Sequence, residues 1–478
     1  MHMTLFLSFQ KPLVPAVCFL LCMMGGDAIA QSHYTSAVLE QGVFPTIQGK
    51  PRPVRWWKNN YSVSVVADAT SIGLCLIDHS AYLSTPGSGA PVCPTRIVST
   101  PGFATDTNVI INDIFILGDT AYFCGSRRSV PSMEGFIGYV SLNDVLTGSA
   151  QIYAVTLNWV NTIRRLVAYR SDASGIIIAA IGDNIGISSS GTNFTKEVII
   201  EVDDALSTMP TFSHASLYGM DLYDKEYIHD VLLTDNYVVF VGHNYNTTFF
   251  PTGDDVVHFR AARRGRFLFS GEIDIVHFIP NIYGIREANS YTSATALNKN
   301  EFAVSYIHTP GPAIFTTRLR VIDLNTFANT LSQQMHKPDK EDPVMMDFIP
   351  MKNTVIMLQE YNNPSDFLKW KPYSTVPYIT YILTPPQGTD YRHVHNMANK
   401  HFIAASGPYI YMQDPDMSIP ASNPSCPVYG KANVEIITEM PLLELYNPVI
   451  TNSLSKYTSY FPRTVVEDTL KKNCYSVE

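Results

Sequence analysis

The chain has 478 residues, of which 46% are hydrophobic and only 16% are charged, and its formal net charge is −9. Its 31 prolines, 27 glycines and 12% aromatic residues indicate a rigid, loop-rich β protein and argue against a disordered chain. The negative charge argues against nucleic acid or an anionic membrane surface as a partner of the whole molecule.

Residues 1–30 have the pattern of a signal peptide. Lys11 precedes an apolar run from Leu13 to Met24, and small residues then lead to Ala28-Ile29-Ala30, a typical cleavage site before Gln31. The apolar run is too short for a membrane span. We therefore expect an exported protein without a membrane span, secreted to the periplasm or the cell surface.

The cysteines fit this predicted export, because disulfides form in oxidising compartments. Five cysteines lie beyond residue 30: Cys75, Cys93, Cys124, Cys426 and Cys474. Cys75 and Cys93 could close a hairpin, and Cys426 and Cys474 could tie down the C-terminal tail. The odd number leaves at least one thiol unpaired, and unlinked cysteines remain an equal alternative. No cysteine spacing predicts a zinc site.

One short pattern recurs at even spacing along the chain. Its copies are Ile111-Asn112-Asp113-Ile114, Ile228-His229-Asp230-Val231 and Met345-Met346-Asp347-Phe348, and their aspartates lie 117 residues apart in both intervals. Weaker relatives at 166–169 and 293–296 fall between them, which predicts a unit of roughly 50–60 residues. A fixed period in this range is typical of a propeller or a solenoid.

Short apolar runs rich in Val, Ile, Tyr and Phe, bounded by Asn, Asp, Gly and Pro, predict strands nearly everywhere. Each unit begins with a hairpin, such as 113–124, and continues with a third and a fourth strand, such as 138–143 and 150–155. Gly125 and Gly242, at the ends of second strands, predict a close approach of two backbones. The sequence permits helical turns only at residues 145–146 and, in the tail, at residues 465–470.

Four antiparallel strands make the blade of a β-propeller, in which each sheet buries its faces against its neighbours. We therefore predict an all-β protein, a β-propeller of seven four-stranded blades over residues 61–440, with six or eight blades as alternatives. Residues 31–60 form an N-terminal segment with a candidate ring-closing strand, and residues 441–478 form a tail that packs on the propeller. A pair of β-sandwiches does not explain the aspartate spacing, and a parallel β-helix has a shorter period.

The repeated aspartates Asp113, Asp230 and Asp347 have two interpretations. An aspartate at the start of an inner strand usually accepts backbone N–H bonds and fixes a turn. The sharper interpretation is that the three carboxylates surround a channel mouth and bind a cation or a polar ligand. Their alternate-blade spacing separates them around a ring, which weakens a shared metal site.

The turn at 187–195 resembles the Asp-box, Ser-x-Asp-x-Gly-x-Thr-Trp, of sialidases and related propellers. Gly191 matches, whereas Ile187, Ser189, Asn193 and Phe194 replace the serine, aspartate, threonine and tryptophan. The resemblance agrees with a propeller, in which such turns are structural. It does not imply a sialidase, because the arginine triad and the Tyr/Glu pair of that activity have no counterpart motif. In blade style the chain also resembles secreted propeller repeat proteins of Gram-negative bacteria whose activity is uncharacterised.

Several other side chains are weaker candidates. His393 and His395 share a strand face, with His401 nearby, but a metal site would need a further ligand brought by the fold. Trp56-Trp57 could stack a sugar ring, although closing the first blade by packing is the simpler role. An arginine patch is either a solvated loop or a loop that recognises an anion. Its members are Arg260, Arg263, Arg264 and Arg266.

No motif for a catalytic residue, a metal ion or a cofactor stands out, so none is expected. The leading functional hypothesis is a non-catalytic secreted propeller that binds a protein or glycan partner at one face of the ring, where loops converge. One alternative is a polysaccharide-active hydrolase or lyase with carboxylates in a central pocket. A structural subunit of a cell-surface assembly is the other, and an exposed apolar patch would favour it.

Overall fold

The structure, a computed structural model, describes only part of the chain. The described residues are 33–39, 51–58, 60–67, 71–79, 92–101, 109–129, 132–148, 152–157, 160–170, 176–184, 195–202, 212–218, 226–244, 256–264, 282–285, 290–311, 314–336, 344–351, 354–360, 366–373, 378–383, 394–397, 401–406, 409–413, 433–436, 444–446, 454–457, 460–461 and 464–476. The predicted signal peptide, Cys426 and all but Thr195 of the Asp-box-like turn lie outside them. The predicted domain bounds therefore stay predictions.

In chain order the strands are β1 (His33–Leu39), β2 (Pro51–Arg52), β3 (Val54–Trp57), β4 (Tyr61–Ala67), β5 (Ser71–Asp78), β6 (Val92–Pro101), β7 (Val109–Leu117), β8 (Thr120–Ser129), β9 (Ser132–Ser141), β10 (Ile152–Leu157), β11 (Val160–Arg170), β12 (Ile176–Asn184), β13 (Thr195–Val202), β14 (Phe212–Tyr218), β15 (Glu226–Leu233), β16 (Tyr237–Asn244), β17 (Val256–Arg263), β18 (Ile282–Ile285), β19 (Ser290–Ala296), β20 (Glu301–Gly311), β21 (Ile314–Asp323), β22 (Ala328–His336), β23 (Val344–Met351), β24 (Thr354–Glu360), β25 (Asp366–Lys371), β26 (Tyr378–Leu383), β27 (Val394–Met397), β28 (His401–Ser406), β29 (Tyr409–Gln413), β30 (Asn433–Ile436), β31 (Glu444–Tyr446), β32 (Leu454–Tyr457), β33 (Tyr460–Phe461) and β34 (Thr464–Ser476).

Within the described part of the chain, these strands form six antiparallel sheets, which confirms the prediction of an all-β protein. Sheets A to D each join four consecutive strands to a fifth from the tail: β7–β10 with β33, β11–β14 with β32, β15–β18 with β31, and β19–β22 with β30. Sheet E consists of β23–β26. The sixth, called here the seam sheet, has ten strands in the order β2-β28-β29-β1-β34-β6-β5-β4-β3, with β27 added beside β28.

One short helix, α1 (Leu142–Thr147), follows β9 and includes residues 145–146, where the sequence permits a helical turn. The Ser141 side chain caps its first turn by accepting a hydrogen bond from the Asp144 N–H, and Gly148 ends it with a left-handed φ of 75°. The second such site, 465–470, is not helical, because β34 pairs there with β6. No helix among the described residues is long and apolar enough to cross a membrane.

Apolar side chains fill the space between consecutive sheets. On β8, Phe123 packs between sheet A and the seam sheet, whereas its neighbour Tyr122 packs between sheets A and B. Similar buried clusters join sheets B and C, sheets C and D, and sheets D and E. Because successive strand residues point to opposite faces, sheets A to D each bury both faces, and their strands consist mainly of apolar residues.

The first strands of the sheets contact one another in chain order. Strand β3 contacts β7, and the series continues through β11, β15, β19, β23 and β27. Strand β27 in turn contacts β3. The edge of each sheet that is formed by its first strand therefore lies beside one common region of the molecule.

Five of these first strands, β7, β11, β15, β19 and β23, share an irregularity at one position. The pairing register with the second strand shifts just before Asp113, Arg165, Asp230, Ser293 and Asp347, as in a β-bulge. Glycine stands on the second strand opposite the residue before the shift in sheets A, B and C, as Gly125, Gly182 and Gly242.

Gly125 shows why that position excludes a side chain in sheet A. A Cβ atom added there would lie 1.8 Å from the Ile110 carbonyl oxygen, so the backbones approach too closely for any other residue. The predicted close backbone approach at Gly125 is therefore present. It lies opposite the bulge of β7, and the bulge sets the direction of the Asp113 side chain.

Candidate functional site

A cavity of about 240 Å³ lies where the first strands meet. All of these strands contribute to its wall. The polar or charged side chains that line it are Arg55, Asp113, Arg165, Asp230, Thr295, Asp347 and His395. Apolar side chains, among them Phe115, Val167, Leu232, Ala296 and Ile349, line it further along the same strands. The cavity is thus a mixed site with a charged zone beside an apolar zone.

Each repeated aspartate bridges its own sheet to the next. The Leu166 N–H donates to Asp113 Oδ2 (3.2 Å), the Ala294 N–H to Asp230 Oδ2 (3.2 Å), and the Val394 N–H to Asp347 Oδ2 (3.1 Å). These bonds reach strands β11, β19 and β27, so each crosses from one sheet to its neighbour. We call them the carboxylate bridges.

The other oxygen of each carboxylate is also engaged. Asp113 Oδ1 accepts from the Ile114 N–H (2.9 Å), and Asp347 Oδ1 accepts from the Phe348 N–H (3.0 Å). Each aspartate therefore accepts hydrogen bonds on both oxygens and fixes the end of a neighbouring strand. The backbone N–H bonds of the first interpretation are present. The three carboxylates also line one cavity, but their binding of a cation or a polar ligand stays a prediction.

Two arginines alternate with the first aspartates around the cavity. Arg55 on β3 donates to Asp113 Oδ1 at 2.8 Å, and Arg165 on β11 lies 3.1 Å from Asp230 Oδ1. The Arg55 side chain is 13% exposed and that of Arg165 is 19% exposed, whereas their aspartates are almost fully buried. The positive groups therefore reach solvent while the carboxylates stay behind them.

Two charged side chains, Arg55 and Asp347, act on the imidazole of His395 on β27. Burial lowers the pKa of this imidazole well below its usual value, and the positive charge of Arg55 lowers it further, while Asp347 opposes the change. The imidazole is half-buried and lines the cavity. At neutral pH it is consequently an uncharged hydrogen-bonding group rather than a cation.

The histidine candidates separate in the structure. His395 reaches the cavity, whereas His393 and the side chain of His401 lie outside the described part of the chain. His229 occupies the bulge before Asp230 and is not part of the cavity lining. Within the described residues, no three His, Cys, Asp or Glu side chains are close enough together to hold a metal ion.

The tryptophan pair divides between two environments. Trp57 is buried in the apolar cluster between the seam sheet and sheet A, and its indole N–H donates to Asp119 Oδ1 at 3.1 Å. The Trp56 ring lies 6.1 Å from the ring of His79. Trp57 therefore has the packing role that the simpler interpretation assigned to the pair.

In the arginine patch, only the Arg264 side chain is described. It donates to the Thr234 and Asp235 carbonyl oxygens, at 3.1 and 3.0 Å, and stacks over the Tyr169 ring at 5.3 Å. Arg264 thus ties the β15–β16 turn to the neighbouring sheet. Anion recognition by the rest of the patch stays a prediction.

The predicted disulfide between Cys75 and Cys93 also stays a prediction, because neither side chain is described. In the backbone register Cys75 lies opposite Ile97, on the strand that also carries Cys93, and Cys93 lies opposite Leu470. Cys124 is a free, buried thiol. Burial raises its pKa well above the usual value, and the Asp113 carboxylate adds to this, so the thiol is unreactive.

The residues that sequence reasoning missed are Arg55, Arg165 and the lining of β19. In the weak copy of the repeat at 166–169, Ala168 takes the place of the aspartate, whereas the register shift places Arg165 there, so the copy was aligned out of step. Arg55 carries no repeated pattern. Its contact with Asp113 spans 58 residues and depends on the meeting of two sheets.

No protein-family model and no curated protein matches the chain. Among solved structures, a prolyl endopeptidase is similar over 82% of this chain, with 11% identity and a TM-score of 0.44, and this chain spans 51% of its length. A streptogramin B lyase is similar over 80% of this chain and 98% of its own, with 10% identity and a TM-score of 0.37. Sqt1 from Chaetomium thermophilum is similar over 77% of this chain and 96% of its own, with 9% identity and a TM-score of 0.37. All three TM-scores are below 0.5, so these likenesses carry no argument about function.

Proposed function

We propose that the chain is a closed, seven-bladed β-propeller that is exported and binds a protein or glycan partner without catalysing a reaction. The observation that carries the proposal is the cavity to which every first strand contributes. Propellers bind ligands where strands and loops from several blades converge on their axis.

The contact series of the first strands supports ring closure. It runs from β3 to β27 and returns to β3, which gives seven inner strands if the seam sheet contributes two blades, β3–β6 and β27–β29 with β1. The apolar clusters between neighbouring sheets support the same arrangement, because one four-stranded sheet cannot cover its own faces.

The carboxylate bridges favour binding over catalysis. A glycosidase needs one carboxyl group that is protonated and free to donate to a leaving group. In this site Asp113, Asp230 and Asp347 accept backbone N–H bonds, and Arg55 and Arg165 pair with two of them, so their oxygens are occupied by donors of the protein itself. Their geometry suits a scaffold that presents Arg55, Arg165 and the apolar wall to a ligand.

The polysaccharide-active enzyme is the second candidate, because three carboxylates do line one cavity. It predicts that the protein cleaves an oligosaccharide and that Asp230→Asn abolishes the cleavage. The binding proposal predicts that neither the unsubstituted protein nor the Asp230→Asn variant cleaves an oligosaccharide.

The assembly-subunit hypothesis requires an exposed apolar patch. Among the described residues, the exposed large hydrophobic side chains are Ile110, on β7 of sheet A, and Tyr373, in the turn after β25 of sheet E. Two single residues on different sheets do not make a patch.

A binding screen tests the proposal. The mature chain is passed over a glycan array and used to capture proteins from the secreted fraction of its host, and each partner is then measured against two variants. Ala296→Phe fills part of the cavity from a half-buried position, and Tyr373→Ala changes an exposed residue away from it. We expect Ala296→Phe to weaken binding at least tenfold and Tyr373→Ala to leave it unchanged. Equal binding by both variants would exclude the cavity as the site.

A further inference from the structure

The last strand of the chain, β34, holds a position unlike that of any other tail strand. It lies between β6 and β1, so it pairs on both edges and joins the two parts of the seam sheet. Strands β30 to β33 each pair with one sheet only, at two to four positions. Strand β34 pairs with β6 at eight positions and with β1 at six.

The tail visits the sheets in the reverse of their chain order. Strand β30 adds to sheet D, β31 to sheet C, β32 to sheet B, β33 to sheet A, and β34 to β6 of the seam sheet. Each of these pairings uses the edge of a fourth strand that must already be in place, except at β34, where β1 is also needed. Among the described tail strands, β34 is thus the one whose pairing needs both sides of the seam.

The first strand depends mainly on β34 for its place. Strand β1 pairs with β29 at only two positions, Ala37 with Ile410 and Val38 with Tyr409. Its six positions with β34 provide most of its backbone hydrogen bonds. The first and last described strands of the chain, β1 and β34, are thus held in place chiefly by pairing with each other and, for β34, with β6.

We propose that β34 is a clasp that is inserted last and locks the ring at the seam, so that its release opens the β3–β27 junction. This proposal rests on the ring closure proposed above and not on partner binding. A second link crosses the seam at β2, where Pro51 pairs with Ser406 and Arg52 with Ala405, but it covers only two positions. The pairing of β2 with β28 therefore provides far fewer backbone hydrogen bonds across the seam than the pairing of β34 does.

Paired cysteines in the full chain test the register on both edges of β34. Directly opposed residues in an antiparallel pair have Cα atoms about 4.5–5.5 Å apart, which permits a disulfide. Ala37→Cys with Lys472→Cys should link β1 to β34, and Thr95→Cys with Asp468→Cys should link β34 to β6. The background carries Cys75→Ser, Cys93→Ser, Cys426→Ser and Cys474→Ser, so that neither a neighbouring native thiol nor a partner released from a native disulfide exchanges with the introduced cysteines.

The matched control shifts one cysteine by a single residue. Val38→Cys with Lys472→Cys places the two side chains on opposite faces, because Val38 lies opposite Lys471. Peptide mapping under oxidising conditions should find the direct links and not the shifted one. Failure of both direct links, or formation of the shifted link instead, would overturn the placement of β34.

Hydrogen exchange of the doubly linked protein tests the clasp itself. With both links closed, we expect amides of β3 and β27 to exchange at least tenfold more slowly than in the reduced protein, with those of β15 and β19 unchanged. Protection confined to β1, β6 and β34 would overturn the clasp. Arg52→Cys with Ala405→Cys checks ring closure separately, since that link crosses the seam without β34. If it does not form, ring closure fails rather than the clasp alone.

Discussion

The sheets contact one another in two different ways, near the cavity and away from it. Near the cavity, contacts are directional: aspartates accept N–H bonds from the next sheet, and Arg55 and Arg165 pair with two of them. Away from it, contacts are apolar, as in the cluster around Phe123 between the seam sheet and sheet A. The apolar contacts are many and tolerant of small shifts, whereas the polar contacts are few and fix geometry.

This difference indicates a division of roles. Burial between the sheets supplies most of the free energy of folding. The carboxylate bridges add less, but they set the relative height of neighbouring strand ends and so the shape of the cavity. Substitutions in the two regions should therefore have different signatures, ordered below from the largest expected effect to the smallest.

Phe123→Ala tests the apolar region. The side chain is fully buried, its ring lies 6.3 Å from that of Phe136, and Gly138 leaves the space it occupies. We expect the free energy of unfolding to fall by about 3–5 kcal/mol, because transfer and cavity terms add. Denaturant titration measures the loss. A loss below about 1 kcal/mol would mean that this interface is not closely packed.

Gly125→Ala tests the bulge that directs Asp113. The added Cβ would clash with the Ile110 carbonyl oxygen, and that atom belongs to backbone and cannot move alone. We expect a loss of about 3 kcal/mol in the free energy of unfolding. Gly118→Ala is the control: its φ of 60° is strained for alanine, but the space around it is open, so about 1 kcal/mol is expected. Equal losses would show that the close approach at Gly125 is unimportant.

Asp113→Asn removes the charge and one of the two acceptor oxygens of a carboxylate bridge while keeping the size of the side chain. It leaves Arg55, which is only 13% exposed, without its ionic partner, so we expect a loss of about 2 kcal/mol in thermal or denaturant unfolding. Asp183→Asn is the matched control, because its partner Arg164 is 49% exposed and neither residue lines the cavity. That variant should lose less than about 1 kcal/mol. The reverse order would contradict the role of the bridges.

The two regions also differ in how far sequence reasoning reaches. The apolar strands follow from their composition and boundaries, and the aspartate spacing of 117 residues identified Asp113, Asp230 and Asp347. The bridges themselves could not be predicted, because their N–H donors lie 47 to 64 residues away and belong to a neighbouring sheet. The tail strands were missed because most have two to four residues, too short to show an alternating pattern.

His395 links the cavity to pH. Its pKa is lowered in the folded protein, chiefly by burial, so below about pH 6.5 the unfolded chain binds more protons than the folded one. The contribution of His395 to the free energy of unfolding is therefore fully present above about pH 6.5. It is lost as the pH falls below that value, by at most about 1.4 kcal/mol per pH unit. His395→Gln should flatten the stability profile between about pH 6.5 and 5 relative to the unsubstituted protein. Parallel profiles would show that the imidazole does not resist protonation.

Lys58 gives the smallest effect, because its contacts lie at the surface beside the apolar region. Its ammonium group lies 3.1 Å from Asp119 Oδ1 and 4.3 Å from the centre of the Trp57 ring, but both charged side chains are nearly half exposed. Its φ of 50° is also strained for a residue with a side chain. Lys58→Ala keeps the strain and loses these contacts and a 2.8 Å hydrogen bond to Asn143 Oδ1, so we expect a loss below about 1 kcal/mol that is smaller in 1 M salt. Lys58→Gly loses the same contacts but relieves the strain, so it should be more stable than Lys58→Ala. If Lys58→Ala were the more stable variant, the turn would not hold residue 58 in the left-handed conformation.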